Sequence, residues 1–548
     1  MPNYYLAFTI GPIYRTMDGA RFTRELWASS YLFSYLVKEV TRRIQQKIPA
    51  GTFIVPAIVD GLDDLYKPAA ERKKNAQGAG LFPDRFILQI PEPGQLSTLE
   101  KIIDDTLIDL TEQMRLTASI NGNVLTFLRN YLQLYALEIP VEPDQNVIQA
   151  IMPYLDTLEL QRSINSTDQS FLRDLFDRVT KSFLTDDAFG SNHSFETILE
   201  VAARDFSDTN EYKAIGAKRS GRKSTNSGPV SFSEAIKPVS EDSEEIGETD
   251  PVAEENKLIA YLSTHNAATA TPVPTRIFRP AHKYIAVVQA DGDNVGKVIA
   301  KLKPDDYQKF SKSLSDFAIN AAEEIARYGG MNIYAGGDDL LFFAPVLRQN
   351  ETIFDLLIRL DKLFTTAFSA KQFPVGEGNH SPTLSFGVSI TYYKFPLFEA
   401  RQAAARQLVG VAKQTDGKNT IGLRIQKHSG QPLEGAFRIN SDSFQHLIGL
   451  LNTAKTDADR TLTSVMHKIR ENEFLLKQIG SDKAALQAFF DNSFNEEIHQ
   501  DDAKAFLDIV VLLLNDCFTD YPDKPDTAIR SAYALLRTHG FLTSTELN

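Results

Sequence analysis

Residues 283–293, KYIAVVQADGD, and residues 331–345, MNIYAGGDDLLFFAP, decide the fold that this sequence predicts. The first stretch has a continuous apolar middle, which predicts a strand buried on both faces that ends before Asp291. The second predicts two short strands, 331–335 and 340–344, joined by a hairpin turn of two glycines and two aspartates. Each stretch therefore places carboxylates at the end of a strand.

The segments that follow alternate between helical and strand patterns. A helix is predicted over 305–328, because apolar residues recur there at helical spacing and a Gly-Gly pair follows. The remaining helices and strands of this unit are predicted at 354–368, 383–392, 398–413 and 419–425. The resulting order, β-α-β-β-α-β, is the ferredoxin-like plan, an antiparallel sheet with helices on one face.

The first half of the chain repeats part of this pattern. A strand is predicted over 4–10, a long helix follows to about residue 46, and another strand is predicted over 86–90. Where the later unit has Asp-Gly-Asp after its first strand, the segment 9–12 reads Thr-Ile-Gly-Pro and has no carboxylate. If the two units are copies, we predict that the first has no catalytic activity.

Changes in composition divide the chain into five segments. A soft stretch in the middle has few aromatic residues and contains blocks of like charge, which is typical of a mobile linker. The segments are a first α/β unit at 1–100, a mostly helical region at 101–205, the linker at 206–279, the second α/β unit at 280–430 and a C-terminal helical bundle at 431–548.

The overall composition limits the class of protein. No run approaches the roughly 20 apolar residues that span a bilayer, and the N-terminus lacks the pattern of a secretory signal, so we expect a cytoplasmic protein without a membrane partner. The only cysteine, Cys517, excludes a disulfide or a zinc site of several thiolates within the chain. The net charge of −13 gives no support for nucleic-acid binding, although a local basic face or other subunits can supply the positive field.

Four aspartates form the candidate catalytic and metal-binding set: Asp291, Asp293, Asp338 and Asp339. They lie at the ends of strands that are neighbours in a ferredoxin-like sheet, so the two pairs are expected to meet at one edge. Carboxylates this close repel one another unless cations lie between them. Two Mg²⁺ or Mn²⁺ ions, which prefer oxygen ligands and substrate phosphates, would activate an attacking 3′-hydroxyl and stabilise the leaving pyrophosphate. The set therefore predicts a metal-dependent nucleotidyltransferase.

The candidate nucleotide-binding residues lie close to these carboxylates: Gly292, Asn294, Gly296, Gly336, Gly337, Ser385, Lys413 and Lys418. The glycines allow a tight turn and close approach of a triphosphate to the backbone. Each lysine offers a point charge to phosphate. Structural explanations stay open, because a lysine near a helix C-terminus such as Lys413 suits the helix dipole, and Ser385 lies on a predicted strand.

Three of these motifs are familiar. The stretches 291–297 (DGDNVGK), 334–341 (YAGGDDLL) and 417–425 (GKNTIGLRI) resemble the polymerase-like large subunit of type III CRISPR RNA-guided effector complexes, in particular the type III-B branch. The likeness extends to the first half, where 8–13 (FTIGPI) and 23–32 (TRELWASSYL) are similar to the first palm domain of that family. So is the segment FPDRF, at 82–86.

The resemblance implies an α+β protein with two ferredoxin-like palm domains, the first degenerate and the second active, each followed by a helical domain. It implies that the active palm joins ATP molecules into cyclic oligoadenylates, or couples ATP to another small molecule such as S-adenosylmethionine. It further implies Asp291 and Asp338 as principal metal ligands, Asp293 and Asp339 as assisting ligands, and Lys418 on phosphate. The implied partners are the other subunits of the complex, its crRNA and the target RNA.

The sequence departs from that family in two places. Many members begin with a histidine–aspartate nuclease domain, but this chain starts in the first palm and has no His-Asp pair, so we expect no DNA cleavage. Many also carry a zinc-binding cysteine cluster between the palms, which the sequence here lacks, so no structural zinc is expected.

Two other functions stay open at the level of the sequence. A free-standing diguanylate cyclase shares the Gly-Gly-acid-acid turn, but the duplicated first half, the long C-terminal region and Leu340 after the acidic pair disfavour it. The other is a non-catalytic scaffold in which the palm only senses nucleotide.

Overall fold

The computed structural model describes residues 2–56, 78–118, 124–160, 183–190, 198–207, 279–369, 381–427, 432–453, 458–494 and 501–544, with a few shorter stretches between them. The linker predicted at 206–279 falls almost wholly on 208–278, which lie outside the described residues. No helix in the described ranges combines the length and the apolar composition that crossing a membrane requires.

The first half is built on a four-stranded sheet. Its elements are β1 (Asn3–Gly11), α1 (Ile13–Asp18), α2 (Thr23–Lys47), β2 (Thr52–Val55), β3 (Arg85–Ile90), α3 (Leu96–Ala118), α4 (Val124–Tyr131) and β4 (Gln133–Val141). The strands lie in the order β2-β3-β1-β4 and neighbours are antiparallel. With α2 and α3 as the two crossovers, this is the ferredoxin-like order. Four helices follow among the described residues: α5 (Val147–Glu159), α6 (Phe183–Phe189), α7 (Ile198–Ala202) and α8 (Arg204–Ser207).

Strand β4 corrects the sequence analysis, which predicted a mostly helical region at 101–205 and ended the first unit at residue 100. The strand adds an edge to the sheet by pairing all nine of its residues with β1. Its composition conceals it, because Pro140 disfavours a strand and its residues are only half buried. The cross-strand hydrogen bonds that define it come from β1, over a hundred residues away.

The second half contains a six-stranded sheet. Its elements are β5 (Tyr284–Asp293), α9 (Val295–Ile299), α10 (Tyr307–Tyr328), β6 (Met331–Gly336), β7 (Asp339–Pro345), β8 (Leu347–Arg348), β9 (Glu351–Thr352), α11 (Ile353–Ala367), β10 (Thr383–Tyr392), α12 (Leu397–Gly410), β11 (Thr420–Gln426) and β12 (Leu433–Arg438). The sheet order is β12-β11-β10-β5-β7-β6, with β8 and β9 as a separate pair. The antiparallel run β10-β5-β7-β6 is the predicted ferredoxin-like core.

The sequence analysis predicted an antiparallel sheet, but one pair of its strands is parallel. Strands β10 and β11 are parallel, because α12 crosses over between them and returns the chain in the same direction. Glycines let α12 lie close to this pair of strands. A Cβ added to Gly387 on β10 would lie 2.0 Å from the carbonyl oxygen of Ala404 on α12.

The C-terminal region is a helical bundle that shares its core with the second sheet. Its helices are α13 (Asp442–Thr453), α14 (Ala458–Glu471), α15 (Glu473–Ile479), α16 (Lys483–Ser493), α17 (Asp501–Asp520) and α18 (Pro525–Thr543). The rings of Phe444 and Phe541 pack against Phe354 and Tyr284, with centroids 5.7 and 4.9 Å apart. Strand β12 lies inside the segment 431–548 predicted as helical, and it belongs to the sheet because it pairs with β11.

Direct contacts hold the two halves together around the β6–β7 hairpin. Arg401 of α12 is buried and pairs with Asp18 of α1. The backbone N–H of Ala335 donates to the carbonyl of Gly80 at 3.4 Å. The amide of Asn146 donates to the carbonyl of Ile299 at 2.7 Å. The first half therefore lies next to the strand ends that carry the acidic residues.

The packing of α12 on β10 gives a test of the fold. Gly387→Ala should lower the thermal unfolding midpoint, because its Cβ meets backbone that cannot rotate away; overpacking of this kind costs about 1–3 kcal/mol. The matched control is Gly410→Ala at the end of α12, where an added Cβ has no atom within 4 Å. Scanning calorimetry of both variants checks this, and equal midpoints would contradict the close approach.

Candidate active site

The two acidic loops meet at one edge of the second sheet. The β5–β7 register places Ala290 opposite Leu340, so Asp291 and Asp339 are the next pair toward the edge. Asp338 lies in the turn between β6 and β7. A Cβ added to Gly292 would lie only 2.6 Å from the Oδ2 atom of Asp338, so the glycine is what lets the two loops touch. The structure thus brings Asp291, Asp338 and Asp339 together, as their position at neighbouring strand ends predicts.

Burial, together with the crowding of carboxylates, raises the pKa values of Asp338 and Asp339. Burial, and then the negative charge of Asp291, raise the pKa of Asp338 to about 6, although Lys413 and the Gly292 N–H oppose the shift. The pKa of Asp339 is raised well above its usual range, first by burial and then by the charges of Asp338 and Asp291. Asp84 of the first half adds to the negative charge at Asp339. This edge of the sheet is therefore deficient in positive charge.

Asp293 differs from the other three aspartates, with which the sequence analysis grouped it. Its side chain is fully buried, and its Oδ2 atom accepts hydrogen bonds from the hydroxyls of Thr383 and Ser385 and from the backbone N–H of Asn419, at 2.8–3.0 Å. Its Oδ1 atom accepts from Lys413 at 2.9 Å. Both oxygens are thus occupied by the protein.

Lys413 was predicted to contact phosphate, and in this structure its ammonium contacts protein oxygens. Helix α12 ends at Gly410, and a 3-10 turn, Ala412–Gln414, directs the lysine toward the end of β5. Its Nζ atom donates to the carbonyl oxygens of Asp291 and Gly292, both at 2.8 Å, and pairs with the carboxylates of Asp291 and Asp293. An ammonium has three N–H donors, so four protein oxygens leave none for a phosphate.

A second buried acid supports the loop that follows Lys413. The Oδ1 atom of Asp361 on α11 accepts from the backbone N–H of Leu384 and from the side-chain amide of Asn419, both at 2.9 Å. Asn419 has a left-handed backbone, with φ at 49°, and its own N–H binds Asp293. Burial raises the pKa of Asp361 to about 6, against these two hydrogen bonds.

Sequence analysis missed Asp361, although the sequence carries a signal for it. The residue lies on the apolar face of α11, between the buried side chains of Leu357 and Phe364. A charged residue on such a face indicates a buried polar contact. Thr383 and Asp84 carry no comparable signal, because only the pairing of distant segments places them near the aspartates.

Ser385, the two turn glycines and Lys418 were also predicted to bind nucleotide, and the structure places them differently. Ser385 is fully buried and its hydroxyl donates to Asp293, so it faces the interior. Gly337 has φ at 67°, which supports the predicted tight turn, whereas a Cβ on Gly336 would collide with the Tyr334 hydroxyl. Lys418 lies in the loop between α12 and β11 and is half-buried.

The predicted acidic loop after β5 is more open at Gly296 than the β6–β7 turn is at Gly336. Asn294 adopts a left-handed conformation, with φ at 63°, and its carbonyl accepts the N–H of Lys297 at 2.9 Å, which begins α9. A Cβ on Gly296 would meet no atom within 4 Å. This loop therefore has open space beside Gly296.

The donor set suits a divalent metal ion. Asp291, Asp338 and Asp339 offer carboxylate oxygens, the ligands that Mg²⁺ and Mn²⁺ prefer, and burial together with neighbouring negative charge raises the pKa values of Asp338 and Asp339. Among the residues that the structure describes, no group of three or more His, Cys, Asp or Glu side chains is placed so that it could hold a metal ion by itself. Mg²⁺ usually binds one or two carboxylates together with waters and substrate phosphates, so an incomplete protein cage fits this ion.

Comparisons with known proteins agree with this location. A sequence-family model for the second palm domain of Cas10/Cmr2 matches residues 284–422, and a model for the N-terminal part of the CRISPR-associated protein Cmr2 matches residues 5–119. The Cmr subunit Cmr2 of the CRISPR system of Pyrococcus furiosus is 30% identical over 174 residues. That alignment covers 27% of this chain and 19% of the length of that protein.

Two solved structures share the fold. A chain of the type III-B Cmr-beta complex in the apo state superposes with a TM-score of 0.60 at 11% identity, over 91% of this chain and 78% of that chain. A chain of Cmr-beta bound to cognate target RNA superposes with a TM-score of 0.52 at 12% identity, over 92% and 78%. At these identities the likeness describes the fold alone.

Asp361 gives a pH-dependent test of the network behind the site. A carboxyl whose folded pKa is about 6, against 3.8 unfolded, destabilises the fold above pH 6 by up to about 3 kcal/mol, and this penalty vanishes as the pH falls to 4. Asp361→Asn keeps an Oδ1 acceptor for both donors but cannot ionise. We therefore expect the variant to unfold at a higher temperature than the wild type at pH 8 and at the same temperature near pH 4.

The exposed residue Asp305 supplies the control for this measurement. Asp305→Asn should leave the midpoint close to that of the wild type at both pH values. If Asp361→Asn were destabilising by the same amount at pH 8 and pH 4, the carboxylate of Asp361 would not be the titrating group.

Proposed function

We propose that this chain is a type III Cas10-like large subunit and that its second ferredoxin-like domain is a nucleotidyltransferase that uses ATP to make a signalling nucleotide in antiviral defence. The proposed product is a cyclic oligoadenylate or a conjugate of ATP with another small molecule such as S-adenosylmethionine. The observation that carries the proposal is the grouping of Asp291, Asp338 and Asp339 at paired strand ends within the region matched by the second-palm model.

The first ferredoxin-like domain is proposed as a degenerate palm. Its β1 ends in Thr9-Ile10-Gly11-Pro12, where β5 of the second domain carries aspartates. We keep the division into two palm domains and two helical regions, with the first domain extended to Val141 to include β4 and the second to Arg438 to include β12.

In the proposed reaction, Mg²⁺ or Mn²⁺ supplies the positive charge that lowers the pKa of an attacking 3′-hydroxyl and stabilises the leaving pyrophosphate. Asp291, Asp338 and Asp339 would hold the metal through carboxylate oxygens. The carboxylate of Asp291 is 38% exposed, so it is open to solvent and to a substrate. Because burial and repulsion favour the protonated forms of Asp338 and Asp339, metal binding would release protons and weaken as the pH falls.

Other residues of the site would position the reactants rather than bind metal. We propose that Asp293 is a positioning residue, because both of its oxygens are used to hold Lys413, Asn419, Thr383 and Ser385. Lys418 is proposed as the lysine that contacts phosphate. Its backbone is left-handed, with φ at 55°, and no ion pair occupies its ammonium among the described residues. The open loop around Gly296 is proposed to accommodate the triphosphate.

The partners are proposed from the same family resemblance. They are the other subunits of a type III complex, with crRNA and target RNA bound through that complex. Neither of the two alternatives from the sequence is favoured by a specific contact in the structure. A diguanylate cyclase would use GTP, and a scaffold would bind nucleotide without turnover, so product analysis separates all three.

The adjacent aspartates give the direct test. Asp338→Ala with Asp339→Ala should reduce product formation from labelled ATP by roughly 100-fold or more, the scale for losing groups that stabilise developing charge. The matched control is Asp305→Ala with Asp306→Ala, an adjacent aspartate pair on the surface of the same domain, which should keep full activity. Products would be resolved by mass spectrometry with Mg²⁺ or Mn²⁺, with and without target RNA and S-adenosylmethionine.

The outcomes of this experiment distinguish the proposals. RNA-dependent oligoadenylate or an ATP conjugate, lost only in the Asp338 and Asp339 double variant, supports the enzyme and identifies its product. Unchanged activity in that variant would refute the assignment of the site. A product made only from GTP would indicate a diguanylate cyclase, and ATP binding without turnover would indicate a scaffold.

A further inference from the structure

The ammonium of Lys413 lies in a cage of protein oxygens. Its ligands are two successive backbone carbonyls, those of Asp291 and Gly292, at 2.8 Å each, and the carboxylates of Asp291 and Asp293. The side chain is 15% exposed, and its partner Asp293 is fully buried. The lysine is therefore held in one geometry and is not a mobile surface charge.

The composition of this cage matches a site for a hard cation. Carboxylate and backbone carbonyl oxygens are the ligands by which proteins bind such ions. The cage also shares Asp291 with the neighbouring group formed by Asp338 and Asp339, so one carboxylate lies between two cation positions. One of these positions is filled by the protein itself.

We propose that the Lys413 ammonium is a built-in cation that takes one of the two cation positions predicted at this site. Only the position between Asp291, Asp338 and Asp339 is then left for a divalent ion. This inference rests on the proposed function, in which these three carboxylates bind metal. It assigns Lys413 a role in charge balance, and it leaves contact with substrate phosphate to Lys418.

The proposal explains two features of the site together. Asp293 is buried with a fixed positive charge beside it, and an unpaired carboxylate in such a position is strongly unfavourable. Two successive carbonyls at the end of β5, those of Asp291 and Gly292, both accept hydrogen bonds from the ammonium. A water-exposed lysine bound to phosphate would account for neither feature.

Counting bound Mn²⁺ tests the proposal without any turnover. The purified full-length chain, free of nucleotide, is titrated with Mn²⁺, and the free ion is measured by electron paramagnetic resonance. Lys413→Met should bind one more Mn²⁺ per chain than the wild type, because the emptied oxygen cage then accepts a second ion. Adding Asp291→Asn to that variant should abolish the gain, because this carboxylate is shared by both positions.

Matched variants separate charge from position. Lys418→Met removes one positive charge five residues away and should leave the count unchanged, as should Lys413→Arg, which keeps a cation at the cage. If Lys413→Met does not show the wild-type melting profile, Lys413→Gln replaces it, because its amide still donates to Asp293. The proposal is overturned if the wild type and the folded Lys413 variant bind the same number of Mn²⁺ ions per chain. It is also overturned if the wild type binds two Mn²⁺ ions and both are lost in Asp291→Asn.

These results are distinguishable from failure of the proposed function. A gain of one ion in Lys413→Met without any product from ATP would support the built-in cation and refute the nucleotidyltransferase. Product formation by a wild-type chain that binds two ions at Asp291 would refute the built-in cation alone.

Discussion

The ion pair between the buried Asp293 and Lys413 is the interaction on which the arrangement of the site depends. An ionised carboxylate with no exposure is tolerated in a protein only when a cation and hydrogen-bond donors surround it. Here the donors come from β10, from the loop before β11 and from the 3-10 turn after α12. The carboxylate therefore joins three segments that are distant in sequence, and it fixes the end of β5 relative to each of them.

Unlike Asp293, which is paired with a cation, the crowded carboxylates of Asp338 and Asp339 lie beside other negative charges. Burial raises the pKa values of Asp338 and Asp339, and the nearby charge of Asp291 raises both further. The fold maintains this state because the strands beside these residues are anchored in the core. Perturbed carboxylates of this kind cluster at functional sites. The site thus combines a satisfied acid, Asp293, which positions the backbone, with unsatisfied acids that are suited to bind a cation.

The two halves share a topology, and each has one basic side chain paired with two acids near the corresponding strand ends. In the first sheet, β1 and β3 pair Thr9 with Arg85 near the edge. The guanidinium of Arg85 binds Glu159 and Asp156 of α5, with contacts of 2.7–2.8 Å, and Thr9 also contacts Glu159. The single guanidinium of Arg85 is thus shared by two acids, as the single ammonium of Lys413 is shared by Asp291 and Asp293.

Local sequence patterns predict the ferredoxin-like core of the second half, its acidic strand ends and the proximity of Asp291 to Asp338 and Asp339. These features follow from local patterns, since apolar periodicity, glycines and turn residues act over a few positions. The different contacts of Asp293 and Lys413, the strand at 133–141 and the support from Asp361 follow only from the tertiary structure. Each of these depends on hydrogen bonds between segments far apart in the chain, and the direction in which a carboxylate or an ammonium points is set by its partners rather than by its own sequence neighbours.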